Sequence, residues 1–161
     1  MKNIYIIGLL VFTLISCKDK VEVKSVMINN KGGVTVSVKH CAGDRWDPKS
    51  DFLPLPMNIA SVNGFNFLVL SDRLEKGKKL NVLPIGALRL MEHDTLNTYV
   101  IAIPTDRELK SIRVKNFDEF ATLYSSVKWI IEQYMLSRRH GNDIKLKSWE
   151  NENFAVKHIL N

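Results

Sequence analysis

The stretch Pro84-Ile85-Gly86-Ala87-Leu88-Arg89-Leu90 decides the fold of this chain. It lies inside Leu80–Met91, an apolar run long enough for one extended strand, and Thr98–Ile103 is a second such run. The polar segment Glu92–Asn97 separates the two runs, a pattern that predicts two strands joined by a loop and paired antiparallel.

Further strands are predicted before this pair. Apolar and polar residues alternate in Val21–Asn29 and Val34–His40, the period of half-buried strands. Asn and Gly between them, at 29–33, favour a hairpin turn. Phe65–Leu70 is a continuous apolar run and predicts a buried strand.

Two helices are predicted after the pair. Apolar residues recur at helical spacing over Phe117–Leu136, and the predicted core face consists of Phe117, Phe120, Leu123, Val127, Ile130, Ile131 and Tyr134. Glu150–Leu160 is predicted as a second, shorter amphipathic helix. Five or six strands with one long helix favour an α+β fold, a small β-barrel with helices packed on it.

The composition is that of a soluble single domain. The chain has 161 residues, of which 45% are hydrophobic and 25% charged, and a net charge of +6. This charge suits an anionic ligand or an anionic surface, but it equally serves solubility. No nucleic-acid partner is predicted, and the oligomeric state stays open.

The N-terminus has the pattern of a bacterial lipoprotein. Lys2 precedes the apolar run Ile4–Ile15, which is too short for a comfortable membrane span. Leu14-Ile15-Ser16-Cys17 then resembles a lipobox, although an ordinary signal peptide with a chance cysteine is an alternative. We therefore expect a signal peptide at 1–16, acylated Cys17, a tether at 17–24 and a domain at 25–161. The expected location is the cell envelope, anchored by lipid to the inner or outer membrane on the periplasmic side. Cys41 is then the remaining cysteine, predicted as a buried, inert residue rather than a reactive thiol.

About residues 50–160 resemble the family I soluble inorganic pyrophosphatases, including Bacteroidetes-type lipoprotein members. The Pro-Ile-Gly strand above resembles the strand leading into that family's acidic loop, and Ile101-Ala102-Ile103-Pro104 resembles the strand leaving it. Glu132-Gln133-Tyr134 on the long helix and Lys145-Leu146-Lys147-Ser148-Trp149 match its closing helix and strand. The resemblance implies an OB-like barrel and Mg²⁺-dependent hydrolysis of diphosphate to two phosphates.

The residues expected to hold the metal ions are mostly changed. The family's D-x-D-P-x-D stretch falls on Ser61, Asn63 and Asn66. In its second acidic loop Glu92 keeps an acid, whereas His93 and Asn97 occupy acidic positions and Tyr99 the position of a lysine. Of the helix Tyr-Lys pair that binds phosphate, Tyr134 remains and Met135 replaces the lysine. Clustered Mg²⁺ needs carboxylate oxygens, so hydrolysis is expected to be weak or lost.

Several site assignments stay open. Tyr134 could equally be a core tyrosine, and Arg45 and Lys49 could replace lost cationic ligands or be solvated loop charges. The basic set is predicted as a solvated face; it consists of Lys128, Arg138, Arg139, Lys145 and Lys147. Two non-enzymatic alternatives are a module that binds a phosphate compound without cleaving it and an envelope interaction protein. In the latter, Phe65, Phe67 and Met57 would fill the substrate pocket that the resemblance implies.

Overall fold

The computed structural model describes residues 28–29, 32–49, 51, 53–138 and 143–161. The predicted signal peptide, Cys17, the tether and most of the predicted strand Val21–Asn29 lie outside these residues. No helix within the described part is long and apolar enough to cross a membrane.

The described chain forms six strands and three helices. The strands are β1 (Val34–His40), β2 (Asn58–Val62), β3 (Phe65–Val69), β4 (Lys79–Glu92), β5 (Thr95–Pro104) and β6 (Ile144–Asn151). The helices are α1 (Phe117–Leu123), α2 (Ser125–Ser137) and α3 (Glu152–Leu160), with a 3₁₀ turn at Arg107–Leu109. The strand β2 was not predicted; Ser61, near its C-terminal end, was assigned to the metal-binding stretch of the resemblance.

The first five strands close into a barrel. Their order is β1-β2-β3-β5-β4, and β1 also pairs with the first part of β4. The predicted antiparallel pairing of the two long strands is confirmed, with Leu83 opposite Ile103 and Met91 opposite Leu96. Strand β6 adds to the second part of β4, and β3 and β5 are parallel neighbours. The α+β, OB-like architecture expected from the sequence is therefore confirmed.

Side chains of the barrel strands alternate between two apolar layers. The inner layer is made largely of small and β-branched residues such as Val36, Val69 and Val100, together with Phe67, and α3 packs Ala155 and Ile159 against it. The outer layer contains the large aliphatic residues of β4 and β5, over which α1, α2 and residues 53–57 pack. The period of two along each strand produces this division. Residues Glu92 and Tyr99 lie on the outer layer.

Gly86 allows the helical layer to approach the barrel. A Cβ atom at this position would lie 2.6 Å from Cδ2 of Phe117 and 2.9 Å from the backbone oxygen of Glu150. The pairing of β4 with β5 shifts register between Pro84 and Gly86. Trp149 then stacks on Phe117, with ring centroids 6.1 Å apart, and its indole nitrogen donates to Glu132 at 2.7 Å.

The single long helix predicted over Phe117–Leu136 is wrong, because the chain breaks it at Tyr124. This residue has φ −124° and ψ 37°, outside the helical region. Its hydroxyl accepts a hydrogen bond from the N–H of Arg113 at 3.3 Å, and Ser125 and Ser126, weak helix formers, follow it. Two residues of the predicted core face are also exposed, Leu123 at 67% and Ile130 at 46%. The packed face is thus narrower than the periodicity predicted.

Two tight turns carry the Asn-Gly signals of the sequence. At the predicted hairpin, the N–H of Asn29 donates to the carbonyl of Gly33, and Ile28 bridges to Val34. Asn63 (φ 49°) and Gly64 (φ 87°) connect β2 to β3. Both central residues of that turn have positive φ, the requirement of a type I′ hairpin.

Candidate functional site

Glu92, at the C-terminal end of β4, is the centre of a nearly closed polar cluster. Its carboxylate accepts a hydrogen bond from the hydroxyl of Tyr99 at 2.9 Å. It also accepts from Nη2 of Arg138, at 3.1 Å to Oε1 and 3.2 Å to Oε2. The side chain of Glu92 is 13% exposed and that of Arg138 is 2% exposed. The pair is therefore largely removed from water.

Arg138 enters this cluster from the C-terminal cap of α2. Its guanidinium carbon lies 4.2 Å from the centre of the Trp46 ring and 6.0 Å from that of Tyr99. Nη1 contacts the sulfur of Met135 at 3.6 Å. Within the described residues its Nε has no hydrogen-bond partner. The prediction that Arg138 belongs to a solvated face is wrong, because the carboxylate and two aromatic faces compensate for its loss of water.

The loop from Cys41 to Lys49 brings Trp46 over the guanidinium. Buried Asn58 fixes the base of this loop, since its side-chain oxygen accepts from the N–H groups of Ala42 and Leu74, each at 3.0 Å. Its amide nitrogen donates to the carbonyl of Asp72 at 2.9 Å. An ion pair between Arg73 and Asp44 at 2.8 Å ties the loop to the barrel again. Cys41 is buried at the start of the loop, as predicted.

Burial controls the protonation of Tyr99. It raises the pKa of Tyr99 to about 12, and the nearby Glu92 carboxylate also raises it while Arg138 opposes the shift. Tyr99 is therefore a neutral hydrogen-bond donor at physiological pH. It cannot supply the positive charge of the lysine whose position it occupies in the resemblance.

The structure brings together part of the predicted metal site. Asn66 pairs in register with Tyr99 and with Ser61, and Asn97 lies opposite Leu90, on the same outer layer as Glu92. Asn63 is different, since it occupies the exposed tip of the β2–β3 hairpin.

The helix residues of the predicted site lie in the outer core. Tyr134 is 5% exposed and Met135 is fully buried among the aliphatic side chains. Phe65, Phe67 and Met57 do not together fill the substrate pocket that the resemblance implies, contrary to the interaction alternative. Phe65 and Phe67 belong to the inner layer, and only Met57 joins the outer one.

The donor set does not fit a cluster of Mg²⁺ ions. Within the described residues, no three His, Cys, Asp or Glu side chains lie close enough to share a metal ion. The carboxylate of Glu92 is already neutralised by Arg138. Neutral amide oxygens at Asn66 and Asn97 are weak competitors for a hard divalent cation. No catalytic step through Mg²⁺ follows from this arrangement.

Arg138 and Trp46, two residues of the cluster, were not predicted as site residues. Arg45 and Lys49, considered as replacement cations, are exposed in the loop, whereas Arg138 and Trp46 form the contacts. Arg138 is 46 residues from Glu92 in sequence, and no local pattern distinguishes it from neighbouring basic residues. The available signal was Trp46, a large aromatic residue in an otherwise polar loop.

Comparison with known proteins agrees with this architecture. The family model of inorganic pyrophosphatase matches residues 64–161, more than half of the chain. The chain belongs to the inorganic pyrophosphatase family. A search of curated proteins found no match.

Solved pyrophosphatase structures share the fold at low sequence identity. The enzyme from Thermus thermophilus superposes with a TM-score of 0.68 at 17% identity, over 84% of this chain and 93% of that one. The pyrophosphatase from Neisseria gonorrhoeae gives 0.68 at 17% identity, over 80% and 87%. That from Helicobacter pylori gives 0.64 at 16% identity, over 86% and 95%. The pyrophosphatase fold is therefore nearly complete here.

Proposed function

We propose that this chain is a pyrophosphatase-family protein in which Mg²⁺-dependent hydrolysis of diphosphate is weak or lost. The observation that carries the proposal is the ion pair between Glu92 and Arg138. Glu92 is the one acid retained among the positions that the resemblance assigns to metal. Its carboxylate holds a guanidinium in place of a metal ion.

The chemistry explains why this exchange matters. Diphosphate and an attacking hydroxide are both anions, so hydrolysis needs several positive charges placed at the reacting atoms. A buried arginine bound to a carboxylate contributes no net charge. It also generates no hydroxide, whereas a metal ion lowers the pKa of its bound water.

A phosphate-release assay tests the proposal. Full-length protein is incubated with diphosphate with and without Mg²⁺, beside the Thermus thermophilus pyrophosphatase as a positive control. We expect release at background level, and no further decrease in the Glu92→Gln variant. Robust Mg²⁺-dependent turnover that Glu92→Gln abolishes would show that Glu92 still serves a working metal centre.

We also propose that the protein is a lipoprotein of the bacterial envelope. The support is the Leu14–Cys17 pattern after a short apolar run, and attachment through thioether-linked and amine-linked chains gives a stable anchor. The mature protein is expected to begin at acylated Cys17 and to sediment with membranes. Cys17→Ala should release or mislocalise it, and an intact mass showing an unacylated N-terminus elsewhere contradicts the proposal.

A non-catalytic binding role is the second candidate. It is favoured by a basic groove on the segment between β5 and α1, which is lined by Arg107, Lys110, Arg113 and Lys115 and shares no residue with the Glu92 cluster.

A further inference from the structure

A cavity of about 520 Å³ lies beside the inner layer, where α3 meets the β2–β3 hairpin. Its volume is within the usual range for the binding sites of small organic molecules. Three aromatic rings, one ammonium group and one amide border it, and no acidic side chain is among the described residues that line it. The lining residues are Phe65, Phe154, Lys157, His158 and Asn161.

The three rings meet each other in two orientations. The His158 ring lies nearly parallel to that of Phe154, at an angle of 8° and with centroids 6.1 Å apart. It meets the Phe65 ring edge-on, at 82° and 5.3 Å. Both orientations are favourable, because the edge of an aromatic ring is electropositive and its face electronegative. A planar aromatic ligand can therefore make the same two kinds of contact, a stack on one ring and an edge against another.

The scaffold holds these rings in place before a ligand arrives. Phe154 and His158 are four residues apart and so share one face of α3. The residue after each of them, Ala155 and Ile159, is buried and anchors the helix on the inner layer. Phe65 begins β3 directly after the type I′ turn. Such a preorganised cavity loses little conformational entropy on binding, which favours affinity for a small ligand.

The charges around the cavity are mainly positive. Lys157 is exposed and makes no ion pair with any residue that the structure describes. The guanidinium carbon of Arg89 lies 5.2 Å from the centre of the Phe154 ring, although its Nη1 is also 3.4 Å from Glu150. Burial, and then the charge of Arg89, lower the pKa of His158 below 6.5. A neutral imidazole ring and a free ammonium group therefore border the cavity at neutral pH.

We propose that this cavity binds a small planar aromatic carboxylate of one or two rings. The rings of the cavity supply stacking and edge contacts for the aromatic part, and Lys157 supplies a charge-assisted hydrogen bond to the carboxylate. A single ammonium group in the lining matches a single negative charge better than it matches a polyanion. The cavity shares no residue with the Glu92 cluster or with the basic groove between β5 and α1, so this binding activity goes beyond the proposed loss of hydrolysis.

A titration followed by NMR tests the site. Full-length, ¹⁵N-labelled protein in a non-ionic detergent is titrated with 2-naphthoate. We expect saturable shifts that fit one site per chain and that are largest for the amides of α3 and Phe65. Lys157→Gln should weaken 2-naphthoate binding at least about threefold, but change that of the neutral 2-naphthalenemethanol less than about twofold. Each ratio compares two proteins with the same probe in the same detergent, so that partition of the probe into micelles cancels.

A second variant tests the aromatic part. His158→Leu keeps an apolar side chain but removes the ring, and should weaken 2-naphthoate binding at least about threefold. Binding of the saturated acid decahydro-2-naphthoate should change less than about twofold. An equal loss for the two acids overturns the assignment to an aromatic ligand. If His158→Leu does not fold, Lys157→Gln at an exposed position still decides the proposal.

Lys115→Gln is the matched control. It removes one exposed charge from the basic groove, which lies on the outer layer, and should change the affinity for 2-naphthoate less than about twofold. Absence of saturable shifts, or equal losses in Lys157→Gln and Lys115→Gln, overturns the proposal. Shifts that are largest around Lys115 rather than on α3 also overturn it.

Discussion

Arg138 binds the acid that the resemblance assigns to a metal site. Its guanidinium satisfies both oxygens of Glu92, while Trp46 and Tyr99 cover its faces. Such a pair gains attraction in a poorly solvated site but loses hydration of both charges. It is thus better evidence for a closed site than for high stability.

Removing only one member of the Glu92–Arg138 pair should therefore lower the free energy of unfolding. We expect Arg138→Ala to lower the free energy of unfolding by about 3 kcal/mol, because the carboxylate of Glu92 is left with little compensation. Urea denaturation measures the change. Lys145→Ala, which breaks an ion pair whose two side chains are 70% and 72% exposed, should cost less than about 1 kcal/mol. Equal effects of the two variants would contradict the role given to burial.

The double variant Arg138→Met, Glu92→Gln completes the test. Both charges are absent in it, and no buried ion is left unpaired. We expect it to recover a large part of the stability lost in Arg138→Ala. If it is less stable than Arg138→Ala, the pair itself contributes net stabilisation.

His158 makes stability depend on pH. Burial, and then the charge of Arg89, lower its pKa below 6.5, so the unfolded chain binds more protons than the folded one just below that pH. Stability should fall as the pH decreases through this window. Urea denaturation between about pH 5 and pH 7 should give a shallower pH slope for His158→Gln than for the wild type. His40, whose pKa is lowered mainly by burial, contributes in the same direction and remains in both proteins.

At the scale of elements, Gly86 sets the distance between the barrel and the helical layer. Gly86→Ala places a methyl group against the Phe117 ring and the Glu150 carbonyl, and we expect a loss of about 1–3 kcal/mol. Thermal or urea unfolding measures it. In a Phe117→Leu background the cost should be smaller, because the ring atom at 2.6 Å is removed. An equal cost in both backgrounds would show that the Glu150 backbone, rather than the ring, is the obstacle.

The elements that the sequence predicted are those with a strong local pattern. The long strands β4 and β5 have continuous apolar runs and a polar turn, and their pairing was predicted correctly. The break at Tyr124 was not predictable from helical spacing, because its anchor is a contact with Arg113 outside the helix. Strand β2 was not predicted, because residues at its C-terminal end were assigned to the metal-binding stretch of the resemblance. Asn63-Gly64, directly after it, is nevertheless a clear hairpin signal.

Only the missing carboxylates of the candidate site were predictable from the sequence. Positions 61, 63, 66 and 97 lack acids in the sequence itself. The partner of Glu92 was not predictable, because Arg138 meets it through the packing of α2 on the barrel. A local sequence pattern cannot distinguish this arginine from a solvated one.

At the scale of the molecule, the proposed function predicts that the fold does not depend on bound Mg²⁺. We expect millimolar Mg²⁺ to leave the Tm unchanged, because a ligand stabilises a protein only when it binds the folded state. The variant Arg138→Met, Asn66→Asp, Asn97→Asp removes the guanidinium and adds two carboxylates on the layer of Glu92. Mg²⁺ should raise its Tm relative to the same protein in EDTA. Scanning calorimetry measures both, and a rise for the wild type would contradict the assignment of Glu92 to Arg138.

Under the proposed loss of hydrolysis, the buried ion pair also constrains the order of substitutions by which a metal centre could be regained. An acid introduced at position 66 or 97 while Arg138 remains adds one carboxylate, but Glu92 stays bound to the guanidinium, so the several free carboxylates that clustered Mg²⁺ needs are still missing. Losing Arg138 first leaves Glu92 without its counter-charge and lowers stability. Neither first step restores hydrolysis, so selection has no gain to act upon. Under this proposal Arg138 makes the loss of hydrolysis an evolutionary ratchet, which is reversed only when several substitutions arrive together.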